Sequence, residues 1–253
     1  MVTRWQALEY ISAQNLERRA LAMLGSITVV PGAVGAWRRS LLDQLGGFPA
    51  DTLAEDQDLT IAVLRRGCSV TFDSEAIAWT EAPTNLRSLA RQRFRWAFCT
   101  LQCLWKHREV FFDRRYKALG MVGMPQAALF QILFALISPL VDVLFVWQIG
   151  RGLVSFLLQT EGTALADLTF AAACFVIFSL VDAVSAAVGF AIEKREQWSL
   201  LWWLPLQRFG YRQIMYYVVL KSVVTALTGL YVGWGKLERT ATVDAMSGDH
   251  SLS

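Results

Sequence analysis

A chain of 253 residues that is 55% hydrophobic and only 18% charged, with a mean hydropathy of +0.37, is too apolar to be one soluble globule, since soluble domains run about 45–50% apolar and about 25% charged. The charge is uneven: residues 1–120 hold 16 Lys and Arg against 12 Asp and Glu, whereas residues 121–253 hold 8 against 9. These numbers exclude a disordered chain and a disulfide scaffold, the net charge of +3 gives no reason to expect a nucleic-acid partner, and what remains is a charged soluble part followed by membrane-spanning helices.

The first segment, Thr3 to Leu24, spaces Trp5, Leu8, Ile11, Leu16 and Leu24 as an amphipathic helix. It lacks the apolar run of a secretory signal. The stretch SITVVPGAVGAWRRSLLDQLGGF then predicts a strand, a turn and a helix ended by glycine. Within the turn, Gly32 and Gly35 either serve an ordinary strand-to-helix connection or let the backbone approach a ligand closely. Next, DTLAEDQDLTIAVLRRG predicts a helix capped by Asp51 or Thr52, with Glu55, Asp56 and Asp58 as solvated first-turn carboxylates that suit the helix dipole. Asp56-Gln57-Asp58 mimics a D-x-D metal motif, but a helix interior is the wrong place for one. Ser69 to Phe72 reads as a strand, followed by a turn and a second short strand.

From Asn85 onward, NLRSLARQRFRWAFCTLQCLWKHR forms one long helix carrying Arg87, Arg91, Arg93 and Arg95 around Gln92 and Trp96. Such a cluster fits a phosphate-bearing ligand held by planar guanidinium groups, or equally a membrane-proximal helix meeting lipid headgroups. The four cysteines, Cys68, Cys99, Cys103 and Cys174, show no metal-ligand spacing and read as reduced thiols.

Beyond residue 117 the chain turns apolar. Ala118 to Gly150 contains one charge, Asp142, and Gly123 with Pro125 divides it into a short interfacial helix and a span over 127–149. Leu168 to Ile192 is a second span, and Ile214 to Trp234, interrupted by Lys221, a third. WSLLWWLPLQRF is too short to cross and reads as a Trp-rich interfacial element. Basic residues before the first span and after the second place the soluble part on the cytoplasmic side. Asp142, Asp182 and Lys221 either line a polar path or, as the simpler account has it, pair Lys221 with one aspartate to fix helix packing.

AED at 54–56, QRFRW at 92–96 and VVPGAVGAWRR upstream, with spans directly after, resemble the processive family-2 glycosyltransferases of bacterial membranes, the synthases of cellulose, hyaluronan, chitin oligosaccharide and poly-N-acetylglucosamine. QRFRW fits the family's Q-x-x-R-W at every fixed position, AED stands where the family has T-E-D, and GWGKLERT near the tail points to the poly-N-acetylglucosamine branch. The resemblance implies an α/β fold: residues 1–116 as the C-terminal, acceptor-side half of a cytoplasmic GT-A domain, 117–240 as an α-helical transmembrane region of about three spans, and 241–253 as a flexible tail. It implies Asp56 as general base with Glu55 beside it, Gln92 and Arg95 on the donor diphosphate, and Trp96, Gly32 and Gly35 on the acceptor sugar. Partners would be a UDP-sugar, a growing polysaccharide, the lipid bilayer of a bacterial inner membrane and a missing N-terminal half or subunit. The family's divalent cation, Mg or Mn, would find its ligands mostly outside this chain, leaving the lone chain inactive. A non-enzymatic membrane subunit for polysaccharide binding or export is the alternative.

Overall fold

The computed structural model describes residues 1–49, 51–158, 164–193 and 196–229, and all regular structure among them is helical. The N-terminal helix forms over the anticipated span as α1 (Val2–Glu9), a π-helical turn (Tyr10–Asn15) and α2 (Leu16–Met23). Trp5, Leu8, Ile11 and Leu21 are buried, whereas Leu24 lies past the helix end, exposed. α3 (Arg39–Leu45) ends on Gly46 at a φ of +82°, and the N–H groups of Gly46 and Gly47 return to the carbonyls of Asp43 and Leu42. The left-handed cap is the one that LLDQLGGF predicts.

The expected strands do not form. Segments 26–30, 69–72 and 76–80 carry no regular structure, because a strand needs a neighbour to close its ladder and no other segment among the described residues supplies one. Ser26, Ile27 and Thr28 are buried all the same, while Ile77 and Trp79 stand exposed.

The main core joins α4 (Glu55–Arg65) to α5 (Leu86–Lys106). Leu59, Ile61, Val63 and Leu64 from α4 meet Cys99, Cys103 and Leu104 from α5, and the same cluster continues into Leu119, Met124, Ala127 and Ile132. α4 begins three residues after Thr52, at an N-cap of Ala54 without a side-chain bond, so neither Asp51 nor Thr52 caps it.

Residues 119–158 form one helical rod, and Gly123 and Pro125 do not divide it as expected. π-helical turns at Leu119–Gly123 and Ala127–Leu133 flank α6 (Met124–Gln126), and α7 (Phe134–Leu158) completes it. Pro125 falls in the first turn of α6, between two stretches whose hydrogen bonding is already rearranged, so its missing N–H costs little. Gly123 serves packing instead: a Cβ there would lie 2.8 Å from the carbonyl oxygen of Ser26. At Gly120 an added Cβ would sit 2.5 Å from the carbonyl oxygen of Val110 and 2.6 Å from that of Asp113. Backbone cannot retreat as a side chain can, so Gly120→Ala is expected to destabilise by about 2–3 kcal/mol in detergent unfolding, and a neutral result would mean that this corner is looser than it stands.

α8 (Ala164–Ile192) follows. Its Gly189 crosses the π turn of the N-terminal helix so closely that a Cβ would stand 2.9 Å from Ser12 Cα. Phe190, fully buried, joins Leu8 and Ile11 there. Leu119–Leu158 and Leu168–Ile192 are the two helices long and apolar enough to cross a membrane among the described residues, and little of either is covered by the rest of the chain. The Trp-rich element is a 3-10 turn (Trp198–Trp203) leading into α9 (Leu204–Phe209), and Trp198 and Trp202 are exposed on it. α10 (Tyr211–Leu227) is 17 residues long. The remainder of the expected third span, the GWGKLERT segment and the tail fall outside the described residues.

The ionisable groups of these helices are satisfied differently from the simple pairing. Asp142 accepts a hydrogen bond from the Tyr216 hydroxyl at 2.8 Å, and Asp182 faces Arg208 at 3.8 Å. Lys221 meets neither aspartate; its ammonium lies over the rings of Phe94 and Tyr217, 5.2 and 5.8 Å from their centroids. α10 packs along α5, one face of which is aromatic, so the nearest partner for a cation is a π face rather than a carboxylate.

Candidate active site

Asp56 stands in the first turn of α4, half-buried, and both of its carboxylate oxygens are fixed by backbone donors. Gly32 N–H donates to Oδ2 at 3.1 Å and Gln57 N–H to Oδ1 at 2.8 Å. The turn at 31–35 is held there by Thr60, whose hydroxyl accepts from the Val30 N–H at 3.0 Å and donates to the Asp56 carbonyl at 2.6 Å. One β-hydroxyl thus ties the glycine segment to the helix that presents the carboxylate. Gly32 approaches Asp56, not open space, yet a Cβ there would stay 3.7 Å from Oδ2, an ordinary contact. Gly35 is hemmed in by Trp37 and Val30, each 3.0 Å from the position of an added Cβ, which makes it a packing glycine. Glu55 is exposed, and among the described residues it makes no hydrogen bond or ion pair.

α5 lies alongside the start of α4. Its Gln102 accepts from the Leu53 N–H at 3.3 Å, and Thr100 Oγ1 lies 3.2 Å from Gln57 Oε1. At about 100° per residue, Gln92, Trp96, Cys99 and Cys103 share one side of α5, and Arg87, Arg91 and Phe94 the other. The Cys99 thiol is pushed up to about 11, chiefly by burial; the charges of Arg95 and Asp56 both reach it, in opposite senses. The oxygen Oε1 of Gln92 is buried and accepts no hydrogen bond among the described residues, an uncommon state for a buried polar atom. Trp96 is 39% exposed, with the Arg93 guanidinium 4.3 Å from its ring centroid.

Arg93, outside the fixed motif positions, is a structural cornerstone. It is 2% exposed and donates to Glu9 at 2.5 Å, and the Tyr211 hydroxyl donates to the same carboxylate oxygen. It therefore pins α5 to α1 and α10 and props Trp96 from behind. Of the four clustered arginines, then, Arg93 is buried structure, while Arg87 and Arg91 lie on the side of α5 that faces α10.

Asp58 departs most from its solvated assignment: its side chain is 1% exposed. The Nε2 atom of His107 lies 2.7 Å from Oδ1, while Lys106 at 2.6 Å and Thr52 at 2.8 Å donate to Oδ2. Arg65 approaches His107 Nδ1 at 2.9 Å, and because a guanidinium only donates, the ring proton belongs on Nε2, facing Asp58. Burial alone would raise the pKa of Asp58, but the bonds from His107, Lys106 and Thr52 outweigh it and hold its pKa at about 2. His107 sits 49 positions away at the far end of α5, so no local pattern in the sequence announces the pair. Arg18 on α2 was equally silent: burial lowers its pKa, and Glu17, Tyr10 and Asp56 push it back, which puts a cation within electrostatic reach of Asp56.

Among the described residues no three His, Cys, Asp or Glu side chains converge in a way that could hold a metal ion, so the donor set among them does not fit a divalent cation.

Residues 1–99 match the family described as glycosyltransferase-like family 2. The chain is 33% identical to a probable glycosyltransferase YdaM of Bacillus subtilis over 119 residues, 47% of this chain and 28% of that protein. It is 33% identical to an N-acetylglucosaminyltransferase of Bradyrhizobium diazoefficiens over 168 residues, 59% of this chain and 33% of the relative. A poly-beta-1,6-N-acetyl-D-glucosamine synthase of Staphylococcus aureus is 26% identical over 92 residues, 36% of this chain and 22% of that synthase. The chain thus spans about a third or less of the length of these curated relatives. No solved structure matches it. The stretch that matches glycosyltransferase-like family 2 includes Asp56, Gln92, Arg95 and Trp96.

Proposed function

We propose that the chain is the acceptor-side and membrane portion of a processive, inverting glycosyltransferase. It would take N-acetylglucosamine from a UDP-sugar and add it to a growing polysaccharide at the cytoplasmic face of a bacterial cell membrane. The observation that carries this is the placement of Asp56. Two backbone N–H groups orient its carboxylate, and it stands on α4, which shares a core with α5, the helix that bears Gln92, Arg95 and Trp96. In the transfer, the Asp56 carboxylate removes the proton of the acceptor hydroxyl as that oxygen attacks the anomeric carbon. The bond from that carbon to the diphosphate breaks, and UDP departs with the electron pair. Arg95 meets the charge developing on the leaving diphosphate. Gln92 stands with Arg95 on the donor diphosphate, its side-chain amide N–H donating to a phosphate oxygen, and Trp96 offers its exposed indole to the apolar face of the acceptor pyranose.

The β-branched and aromatic segments 26–30, 69–72 and 76–80, which carry no regular structure here and leave Ile77 and Trp79 exposed, support a sheet completed by residues outside this chain, where nucleotide and divalent cation would also be held. The uncovered apolar surface of Leu119–Leu158 and Leu168–Ile192 supports placement in a bilayer.

The test is transfer of radiolabelled N-acetylglucosamine from its UDP derivative by membranes expressing the chain in its natural genetic context. Wild-type membranes should build polymer, and Arg95→Ala should lower turnover about 10- to 100-fold, the worth of a charge-assisted hydrogen bond. Absence of any transfer by the wild type would instead favour a non-catalytic polysaccharide subunit, and an unimpaired Arg95→Ala would remove the diphosphate role.

A further inference from the structure

On the side of α5 turned away from Asp56, a cavity of about 320 Å³ opens between α5 and α10, lined by Arg87, Arg91 and Phe94 from one helix and Tyr217 and Lys221 from the other. Three cations border it. Among the described residues Arg87 and Arg91 form no ion pair, and Lys221 has only the two aromatic faces. Like charges four apart on a helix repel one another, and here a third is added from α10, so the cluster lacks the anion that would compensate it. No carboxylate lines the cavity. The rest of its lining is apolar, with Ala90 and Val218 beside the Phe94 ring. Fork-shaped guanidinium donors with an ammonium opposite match the oxygens of a phosphate ester, and the apolar margin matches what such an ester carries in an amphiphile.

We propose that this cavity binds a phosphate-bearing anion, with Arg87 and Arg91 gripping the phosphoryl oxygens from α5 and Lys221 closing on them from α10. The phosphate could belong to an anionic phospholipid headgroup or to a free phosphate, and the chemistry of the grip is the same. The site is separate from the one that holds Asp56. It requires neither the transfer reaction nor a donor sugar.

Native mass spectrometry of the full chain, purified in mild detergent with an equal mixture of phosphatidylglycerol and phosphatidylcholine, tests the lipid source. The wild type should retain phosphatidylglycerol preferentially by about tenfold or more, the size that a few basic residues supply at an anionic surface. Arg87→Gln with Arg91→Gln should erase the preference, whereas the same charge change at Arg114→Gln with Lys117→Gln should leave it. A second arm titrates inorganic phosphate into lipid-free micelles and follows the melting temperature. A rise seen in the wild type and lost in the Arg87→Gln, Arg91→Gln chain assigns the site to free phosphate. Should that pair fail to fold, Lys221→Gln decides by the same criteria, and Arg87→Lys with Arg91→Lys, which keeps the charge, should retain binding. Equal lipid retention by wild type and pocket variants, with no phosphate-dependent melting shift that they abolish, overturns the proposal.

Discussion

Asp56→Asn should reduce the turnover of polymer synthesis by about 10²–10⁴-fold, the range that a positioned general base contributes. A base acts only as the proton moves, so the loss is expected in kcat, with the KM for the UDP-sugar little changed. The substitution is not structurally silent. Both oxygens of Asp56 accept from backbone N–H groups, and asparagine must turn its amide nitrogen toward one of them. One hydrogen bond is then exchanged for a donor facing a donor, at a cost of about 1 kcal/mol in stability. That is too little to unfold the chain and far too little to mimic the loss of a base. Glu55→Gln serves as the contrast: Glu55 is exposed and anchored to nothing among the described residues, so its effect should be smaller by at least about tenfold. If Asp56→Asn retains a tenth or more of wild-type turnover, Asp56 is not the base.

The largest effect on stability should come from Asp58→Ala, which leaves His107 and the buried end of Lys106 without their anion. Removing one partner of a buried pair costs about 3–5 kcal/mol; since Lys106 is a third exposed, about 3 kcal/mol is expected here, read from denaturant unfolding in detergent. A change below about 0.5 kcal/mol would show that the cluster is no anchor. The same bonds set a pH signature. Asp58 has its pKa lowered from 3.8 to about 2 by folding, so the folded state binds its proton less readily than the unfolded chain does. Its contribution, about 2 kcal/mol, is full above about pH 4 and disappears as pH falls through about 2. In Asp58→Ala that part of the acid limb should be missing. A wild type whose stability stays flat from pH 5 to pH 2 would contradict the shift. Thr52 and Asp51, which bond Asp58 and Lys106 respectively, tie the loop before α4 into the same knot. Loosening Asp58 should therefore displace Asp56 two residues away and lower turnover as well.

Much of the helical content was legible because it rests on local rules. The 3.6-residue spacing of Trp5, Leu8 and Ile11, the paired glycines after Leu45 and the uninterrupted apolar runs each predict an element that the structure contains. What escaped is long-range. A strand is a relation between two segments, so a β-branched run such as 27–30 promises an element that only a neighbour can complete. Asp58 looked like any first-turn acid because its partners, His107 and Lys106, stand at the other end of α5. Pro125 and Gly123 read as breakers by their local chemistry, and π-helical geometry together with the buried Ser26 made them compatible with a continuous rod. For the site, the arginines in and before QRFRW look alike in sequence, but which of them is buried and which border the cavity toward α10 follows from what lies on each side of α5.

Ser222, fully buried on α10, donates to the carbonyl oxygen of Phe94 at 3.3 Å, while Arg93 ties the neighbouring turn of α5 to Glu9 and Tyr211. Mechanically, α5 is clamped in the middle. Trp96 and the pair Arg87 and Arg91 sit on either side of that clamp, within three helical turns of each other. One turn of α5 thus fixes the register of the helix against α1 and α10 at once, and the spacing between the indole and the basic pair is set by a single rigid element.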